Sequence, residues 1–299
     1  MSILVDQNTI SLIQGITGHE GSRAASEMLH YKTAVVAGVT PGKGGQKTKH
    51  GIPVYNSIKE ALHYHPTVNT SLVAVPAQFA ADAAMEAIWN DIPLVNILTE
   101  KIPVADVAKV IALGKERNVR VVGPSSVGII SPAKAKIGAI GASELVDRVF
   151  KKGAIGIISK SGGMTAELSR IITAAGLGQS TAIGIGGDVL LGTTFVDCAH
   201  LFEKDSQTKA IVVFGEVGGT YEEELADAIL KKEITKPIVA LIAGDFSRSL
   251  PQGTVLGHAG AIVSKGKGSA KSKINALKKA GVQIATTPED IPVLLKKVL

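Results

Sequence analysis

Ten short runs of apolar and often β-branched residues recur along the chain, with segments of helical length between them. Because these runs are apolar on both faces, they are typical of parallel strands that helices cover on both sides of a sheet. The first half contains TISLIQG, TAVVAGV, TSLVAVP, IPLVNIL and VRVVGP, and the second half contains AIGIISK, STAIGIG, AIVVFGE, PIVALIAG and VQIATTP. The intervening stretch 78–89 has apolar positions near helical spacing. The pattern therefore predicts an α/β fold made of two successive α/β units.

The length of 299 residues is typical of two compact domains. The stretch 124–152 has no convincing long strand, so we place the domain boundary within it. We expect a first domain over residues 1–130 and a second domain over residues 131–299.

Composition excludes several classes of protein. With 45% hydrophobic and 19% charged residues, the chain is too aliphatic for a disordered protein and too poor in charge for a coiled coil, and its 33 glycines lack the strict repeat of collagen. The net charge of +6 is scattered and only 4% of the residues are aromatic, so we do not expect nucleic acid as a partner. A cluster of lysines near the C-terminus is interpreted as a solvated helix face: Lys265, Lys267, Lys271, Lys273, Lys278 and Lys279.

The single cysteine, Cys198, excludes an internal disulfide and a cysteine-based zinc cluster, which fits a reducing compartment. We expect its thiol to be buried and inert on a helix face. The sequence contains no HExxH, paired CxxC or nucleophile elbow, so no metal site is predicted. No apolar run reaches 18 residues, and the first residues lack the basic and apolar regions of a signal peptide. These features predict a cytoplasmic protein without a membrane partner.

A glycine-spaced turn, 15–21 (GITGHEG), follows the first predicted strand and precedes a helix. Glycines let a phosphate approach the backbone closely, and the helix N-terminus supplies free N–H groups, so this turn is a candidate anion site with His19 as a candidate ligand contact. The alternative is an ordinary tight turn between strand and helix. The next strand ends in a glycine-rich loop with Lys43, where an NAD-binding protein usually carries an acidic residue. A lysine at this position favours a phosphorylated nucleotide such as the 3′-phosphate end of coenzyme A.

A second strand-to-helix turn with hydroxyls, glycines and a lysine occurs in the second half. It is predicted to be a second anion site, for substrate or phosphate, and the alternative is an ordinary serine N-cap. The loops 186–188 and 215–219 end the next two predicted strands, so they converge on the same edge of the sheet. The residues of this candidate site are Ser159, Lys160, Ser161, Gly162 and Gly163.

His258 differs from the other six histidines because small residues surround it in the stretch 257–261 (GHAGA). An accessible imidazole can act as a nucleophile and carry a phosphoryl group when an acceptor holds its second nitrogen. Glu216, at the end of a predicted strand, is the candidate acceptor.

At these positions the sequence resembles the α subunit of succinyl-CoA synthetase, the nucleotide-dependent succinate–CoA ligase, along essentially its whole length. The motifs that carry the resemblance occur in order: QGITGHEG, GVTPGKGG, VPA at 75–77, LTE at 98–100, KIG at 136–138, GIGGD at 184–188, GEVGG and GHAGAI. The resemblance implies an N-terminal CoA-binding Rossmann-like domain and a C-terminal flavodoxin-like ligase domain. It also implies a separate β subunit of the ATP-grasp type, which would bind most of the ATP or GTP with its Mg²⁺.

The resemblance further implies that His258 is phosphorylated and that Glu216 holds its ring. We expect the triphosphate to phosphorylate His258, the phosphoryl group to pass to a small carboxylic acid, and the CoA thiol to attack the acyl phosphate. The residues implied for coenzyme A are Gly15, Thr17, Gly18, His19, Glu20, Gly21, Lys43, Val75, Pro76, Leu98, Thr99 and Glu100.

Two segments depart from the succinate pattern. The usual P-N-C-P-G or P-N-T-P-G is P-S-S-V-G at 124–128, and the usual S-R-S-G-T is S-K-S-G-G at 159–163. Both are similar to ATP-citrate lyase and citryl-CoA synthetase, yet 137–142 (IGAIGA) lacks the polar pair of the citrate-type I-G-N-T-G-G. The sequence does not decide whether the acid is succinate, citrate or malate. It also does not decide between ATP and GTP, between αβ and α2β2 assembly, or the direction of the reaction. A non-catalytic CoA-binding regulatory protein is the alternative from another class, and the Lys43 loop disfavours an NAD dehydrogenase.

Overall fold

The computed structural model describes residues 2–141, 144–244, 260 and 268–299. In these residues the chain forms two β-sheets with helices packed on them, as the sequence predicts. The elements of the first half are β1 (Ile10–Gln14), α1 (His19–His30), β2 (Ala34–Val39), β3 (Val54–Tyr55), α2 (Ile58–Tyr64), β4 (Thr70–Val73), α3 (Ala77–Trp89), β5 (Leu94–Ile97), α4 (Val104–Glu116) and β6 (Arg120–Val122).

The elements of the second half follow directly along the chain. They are β7 (Gly128–Ser131), β8 (Ala135–Gly138), α5 (Val146–Val149), β9 (Lys152–Ser159), α6 (Gly162–Ala174), β10 (Gln179–Gly184), α7 (Phe195–Lys204), β11 (Ala210–Glu216), α8 (Tyr221–Leu230), β12 (Ile238–Ala243), α9 (Ala270–Lys279), β13 (Gln283–Ala285) and α10 (Asp290–Val298). The ten apolar runs all become strands, which confirms that part of the prediction.

The first sheet is parallel throughout and has the order β3-β2-β1-β4-β5-β6. The chain moves outward from β1 to β3 and then returns to the other side of β1 with β4. In open α/β sheets, ligands bind beyond the carboxyl ends of the strands at such a reversal point. Here that point lies between the ends of β1 and β4.

The second sheet has the order β13-β12-β11-β9-β10-β7-β8. Its first five strands are parallel, whereas β7 pairs antiparallel with β10 and β8 pairs antiparallel with β7. The hairpin β7–β8 therefore makes the sheet mixed, which the sequence did not predict because each of its strands is only four residues long. The reversal point of this sheet lies between β9 and β11, since β10 and β11 flank β9 on opposite sides.

The chain leaves the first sheet after Val122 and enters the second at Gly128. The expected boundary at residue 130 therefore falls inside β7. The central strands of the second sheet are buried: all of β10, β11 except Glu216, and β9 from Ile155 onward. This burial on both faces is what the apolar runs predict for parallel strands.

Helix α1 of the first half packs on the hairpin β7–β8 of the second half. The Lys136 side chain is completely buried, and its ammonium donates to Glu27 Oε2 at 3.0 Å and to the Gly141 carbonyl oxygen at 2.7 Å. Thr33 Oγ1 also donates to the Lys136 carbonyl oxygen at 2.9 Å. Burial lowers the pKa of Lys136, and the Glu27 carboxylate opposes that shift. The two halves are thus joined by a buried polar contact.

Two expectations about side chains have different outcomes. Cys198 is fully buried on α7, so the prediction of a buried thiol on a helix face is confirmed, and burial raises the pKa of the thiol, as expected of an unreactive one. The interpretation of the C-terminal lysines as a solvated face is wrong for Lys273, which is completely buried in an ion pair. Lys271, Lys278 and Lys279 are exposed, and Lys265 and Lys267 lie outside the described residues. Within the described ranges, no helix is long and apolar enough to cross a membrane.

Candidate functional site

The first glycine turn connects β1 to α1 at the reversal point of the first sheet. Gly15 has a φ of +80°, and a Cβ placed on it would lie 2.5 Å from the Ala74 carbonyl oxygen at the end of β4. A Cβ on Gly21 would lie 2.2 Å from the Gly15 carbonyl oxygen. Gly18, the N-cap of α1, has no side chain to accept from the first N–H groups of the helix. The turn is therefore a closely packed backbone cradle with free donors, which suits a phosphate.

Two cavities adjoin this cradle. One of about 750 Å³ lies over the ends of β1, β2 and β4, and its wall includes Gly15, Thr17, Gly18, Val75 and Pro76. The other, of about 680 Å³, lies between the two halves of the chain. The expected coenzyme A residues that line this interdomain cavity are Gly18, His19, Glu20, Val75, Pro76, Leu98, Thr99 and Glu100.

The remaining two residues expected to bind coenzyme A do not line either cavity. Gly21 is buried beneath the turn, where it allows α1 to pack against Gly15. Lys43 is exposed at the tip of its loop. Asn56 Oδ1 fixes the shape of that loop by accepting from Gly42 N at 2.9 Å and from Gly44 N at 3.1 Å. Lys43 is thus presented on an ordered loop beside the first reversal point.

Charged side chains from α1 line one wall of the interdomain cavity. Arg23 donates to Glu20 at 2.7 Å, and His19 Nδ1 lies 2.9 Å from the same carboxylate. The hydrogen bond with His19, together with the charge of Arg23, lowers the pKa of Glu20. Arg23 was not singled out from the sequence, although its position one helical turn after Glu20 places both on the same face.

The segment between the two sheets and the second half of the chain supply the opposite wall of the interdomain cavity. Several of these residues were not among the expected site residues: Ser125, Ser126, Val127 and Ala139. In the sequence, the stretch 124–128 stands out only by its departure from the succinate pattern. Phe79, Asp82 and Glu86 on α3 line the other cavity and carry no motif that would reveal them.

The second glycine turn connects β9 to α6 at the reversal point of the second sheet. Ser159 Oγ donates to the Ser161 carbonyl oxygen at 2.8 Å, and Ser161 Oγ accepts from Met164 N at 3.4 Å as the N-cap of α6. The alternative interpretation as a serine N-cap is therefore realised in the structure. Gly162 lines the interdomain cavity, and a Cβ on Gly163 would meet open space.

Lys160 and Glu216 meet at this reversal point. Lys160 is almost completely buried and lines the interdomain cavity, and its Nζ lies 3.6 Å from Glu216 Oε1. Glu216 ends β11, the strand beside β9. The cavity that begins at the first turn therefore reaches a buried ion pair at the second.

His258 lies outside the described residues, but two nearby positions in the sequence are described. Gly260 N donates to the Gly187 carbonyl oxygen at 3.0 Å, and a Cβ on Gly260 would lie 2.6 Å from the Asp188 carbonyl oxygen. Gly218 N donates to the Gly268 carbonyl oxygen at 2.7 Å. Residue 260, two positions after His258, thus contacts the loop after β10, and residue 268 contacts the loop after β11.

Comparisons with known proteins match each half of the chain to a family. A family model described as the CoA binding domain matches residues 6–101, and one described as CoA-ligase matches residues 158–283. The succinate–CoA ligase [ADP-forming] α subunit of Aquifex aeolicus is 48% identical over 301 residues, covering 100% of this chain and 95% of the relative. The corresponding subunit α 1 of Archaeoglobus fulgidus is 45% identical over 299 residues, covering 100% and 99%.

The chain belongs to the succinate–CoA ligase α-subunit family. The resemblance that the motifs indicated is confirmed, and a member of this family is a ligase subunit with a CoA-binding domain and a CoA-ligase domain. Among solved structures, the ATP citrate lyase of Methanosaeta concilii in complex with citryl-CoA matches with a TM-score of 0.92 at 28% identity. The match covers 99% of this chain and 50% of that chain, so the succinate–CoA ligase α-subunit fold spans about half the length of the lyase.

Proposed function

We propose that this chain is the α subunit of a ligase that joins a small carboxylic acid, succinate, to coenzyme A at the expense of a nucleoside triphosphate. The observation that carries the proposal is the interdomain cavity, which runs from the free backbone donors of the first turn to the buried Lys160–Glu216 pair. A coenzyme A molecule that spans this cavity would have its phosphates at the first domain and its thiol at the second. The printed names of the family members support succinate as the acid.

The proposed reaction proceeds in three transfers. A ring nitrogen of His258 attacks the γ-phosphorus of the triphosphate, and the nucleoside diphosphate leaves. A carboxylate oxygen of the acid then takes the phosphoryl group and frees His258. The CoA sulfur attacks the acyl carbon, phosphate leaves, and the thiol proton passes to solvent. Dividing the condensation in this way gives each step a good leaving group.

The residues have distinct proposed roles in these transfers. Glu216 accepts from the second ring nitrogen of His258 and fixes the orientation of the ring. Lys160 stabilises negative charge on the acyl phosphate, together with the N–H groups of Gly162 and Gly163, because the Ser161 hydroxyl caps only Met164 N. Ser159 and Ser161 act through the backbone by holding the second turn in shape.

Coenzyme A is proposed to bind across the first turn. The N–H groups that follow Gly18 face its diphosphate, and Lys43 attracts the 3′-phosphate. The pantetheine arm follows the interdomain cavity past Thr99, whose hydroxyl donates to the Val75 carbonyl oxygen at 2.7 Å. We also propose that this CoA-binding domain ends within residues 123–127, where the chain changes sheet.

The triphosphate with its Mg²⁺ is proposed to bind mainly to a β subunit of the ATP-grasp type. The names of the relatives, which specify an ADP-forming ligase and a subunit α, support ATP and a second subunit. We propose a cytoplasmic location. The single buried cysteine supports it, because proteins of a reducing compartment rarely contain disulfides.

Citrate is the second candidate for the acid. The match to ATP citrate lyase and the stretch 124–128 favour it. Against it, Val127 and Ala139 place apolar side chains on the wall of the cavity near Lys160. A tricarboxylate needs several charged or polar partners, and those two side chains supply none.

The test is an assay of the complex with its β subunit, ATP and coenzyme A against succinate, citrate and malate. The proposal predicts succinyl-CoA, ADP and phosphate in equal amounts from the wild type and none from His258→Ala. If the complex turns over citrate but not succinate, the acid is citrate, the second candidate. Full activity of His258→Ala would contradict the phosphohistidine mechanism.

A further inference from the structure

A buried cluster of charges lies behind the loop that follows β11. Lys273 on α9 and Glu222 on α8 are both completely buried and form an ion pair. The Lys273 ammonium also donates to Glu223 Oε2 at 3.1 Å and to the Gly219 carbonyl oxygen at 3.0 Å. None of these residues lines either of the two cavities described above.

The cluster is connected to Glu216 through the backbone. Glu222 Oε1 accepts from Glu216 N at 3.1 Å, while Lys273 holds the carbonyl oxygen of Gly219 three residues later. A Cβ on Gly215 would lie 2.5 Å from Glu222 Oε1, so the carboxylate packs directly on the end of β11. Both ends of the loop 216–219 are therefore held by the two members of one buried ion pair.

The buried Glu222–Lys273 pair provides hydrogen bonds that apolar side chains could not. Removing an ammonium and a carboxylate from water is costly, and apolar side chains of similar volume often stabilise a core as well or better. Apolar side chains would, however, provide no acceptor for Glu216 N and no donor for Gly219. The ion pair therefore fixes the position of the loop 216–219, which an apolar core would not do.

We propose that Lys273 is a positioning residue for phosphoryl transfer. Together with Glu222 it holds the loop 216–219, so that the Glu216 carboxylate stays beside Lys160 and in place to orient the ring of His258. Lys273 touches no substrate itself. The inference rests on the proposed function, because it requires His258 to be the carrier of the phosphoryl group.

The test uses the complex with the β subunit and the double variant Glu222→Leu/Lys273→Met. Removing both charges together avoids leaving one buried charge unpaired. Lys271→Met, an exposed lysine on the same helix, is the matched control. The measurements are CoA affinity, the thermal midpoint, and the rate at which labelled ATP places acid-labile phosphate on His258 across a range of pH.

We expect the double variant to fold and to bind CoA like the wild type. Phosphorylation of His258 should slow by about 10- to 100-fold, because a displaced Glu216 orients the ring less well. The acid limb of the rate profile should move to lower pH by up to about one unit, since an imidazole that loses a nearby carboxylate has a lower pKa. A purely structural role would reduce the amount of active protein without moving this limb.

A double variant with the wild-type rate and an unchanged pH profile would overturn the inference alone. If the double variant does not fold, Glu222→Gln/Lys273→Met decides. It also removes both charges, but it keeps an acceptor for Glu216 N and loses only the Lys273 donor to the Gly219 carbonyl oxygen. A shift of its acid limb in the same direction supports the inference, and an unmoved limb overturns it. Absence of label on His258 in the wild-type complex would overturn the proposed function, and this inference with it.

Discussion

The two strand-to-helix turns that face each other across the interdomain cavity differ in how their helix N-termini are satisfied. At the first turn the N-cap of α1 is Gly18, which has no side chain, so the N–H groups behind it are available to a ligand. At the second turn Ser161 caps α6 with its own hydroxyl. The second turn instead places the Lys160 ammonium in the cavity, 3.6 Å from Glu216.

The difference shows that one structural unit serves two kinds of recognition. A backbone cradle binds phosphate through geometry and needs glycine at positions where any Cβ would collide. A capped turn is stable without a ligand and can hold a buried side chain in a fixed position. We therefore propose that the first turn provides affinity for coenzyme A and the second provides the electrostatics of the reaction.

The largest expected effect comes from closing the first cradle. In Gly15→Ala the new Cβ would lie 2.5 Å from the Ala74 carbonyl oxygen at a φ of +80°, so the turn must move. We expect CoA affinity to fall by about 100-fold in a calorimetric titration. Gly163→Ala on the second turn, where a Cβ meets open space, is the matched control and should bind CoA normally. Equal losses in both variants would erase the distinction between the turns.

The next effect concerns the second turn. Lys160→Met removes the ammonium from the cavity, and we expect the ligation rate to fall by about 100-fold with CoA affinity retained. Lys160→Arg keeps the charge and should recover part of the rate. A loss of CoA affinity in Lys160→Met as large as in Gly15→Ala would show that both turns belong to one CoA site.

A smaller effect tests the cap itself. Ser161→Ala removes the acceptor of Met164 N at the start of α6, which should lower the free energy of unfolding by about 1 kcal/mol. In a domain of this size the thermal midpoint should fall by about 2–4 °C. Ser272→Ala, which loses a side-chain hydrogen bond to Glu223 but no cap, serves as the comparison. If Ser161→Ala leaves the midpoint unchanged, the cap does not stabilise the second turn.

The smallest effect is a dependence on pH at the loop after β10. Burial raises the pKa of Asp188 above its ordinary value of 3.8, while its hydrogen bond from Val189 N opposes the shift. The folded state therefore binds the Asp188 proton more tightly than the unfolded state does. This proton binding stabilises the fold fully below pH 3.8, and the stabilisation is lost as pH rises through the folded pKa.

Asp188→Asn, which keeps an acceptor for Val189 N, should consequently melt higher than the wild type at pH 7. The two midpoints should converge as pH falls toward 4. A constant difference between the two proteins across this range would contradict the assigned burial effect.

Much of the fold follows from local pattern, whereas the side-chain contacts depend on packing. The apolar runs determine ten strands because burial on both faces allows few alternatives. The hairpin β7–β8 is not predicted, because strands of four residues (GIIS and AKIG) are too short to show a hydrophobic periodicity. The prediction for Lys273 is wrong although Ala270, Lys273 and Leu277 share helical spacing. A lysine at such a position is buried only if another element supplies an acid, and local pattern does not show that α8 supplies Glu222.

The measurement that tests the central claim most directly is a single-turnover chase. The complex is labelled on His258 with ATP, freed of nucleotide, and mixed with succinate and coenzyme A. Phosphoryl transfer through His258 predicts that the label leaves as phosphate while one succinyl-CoA forms for each label lost, and that His258→Ala takes no label. Succinyl-CoA formation with the label retained, or with none ever present on His258, would contradict the claim.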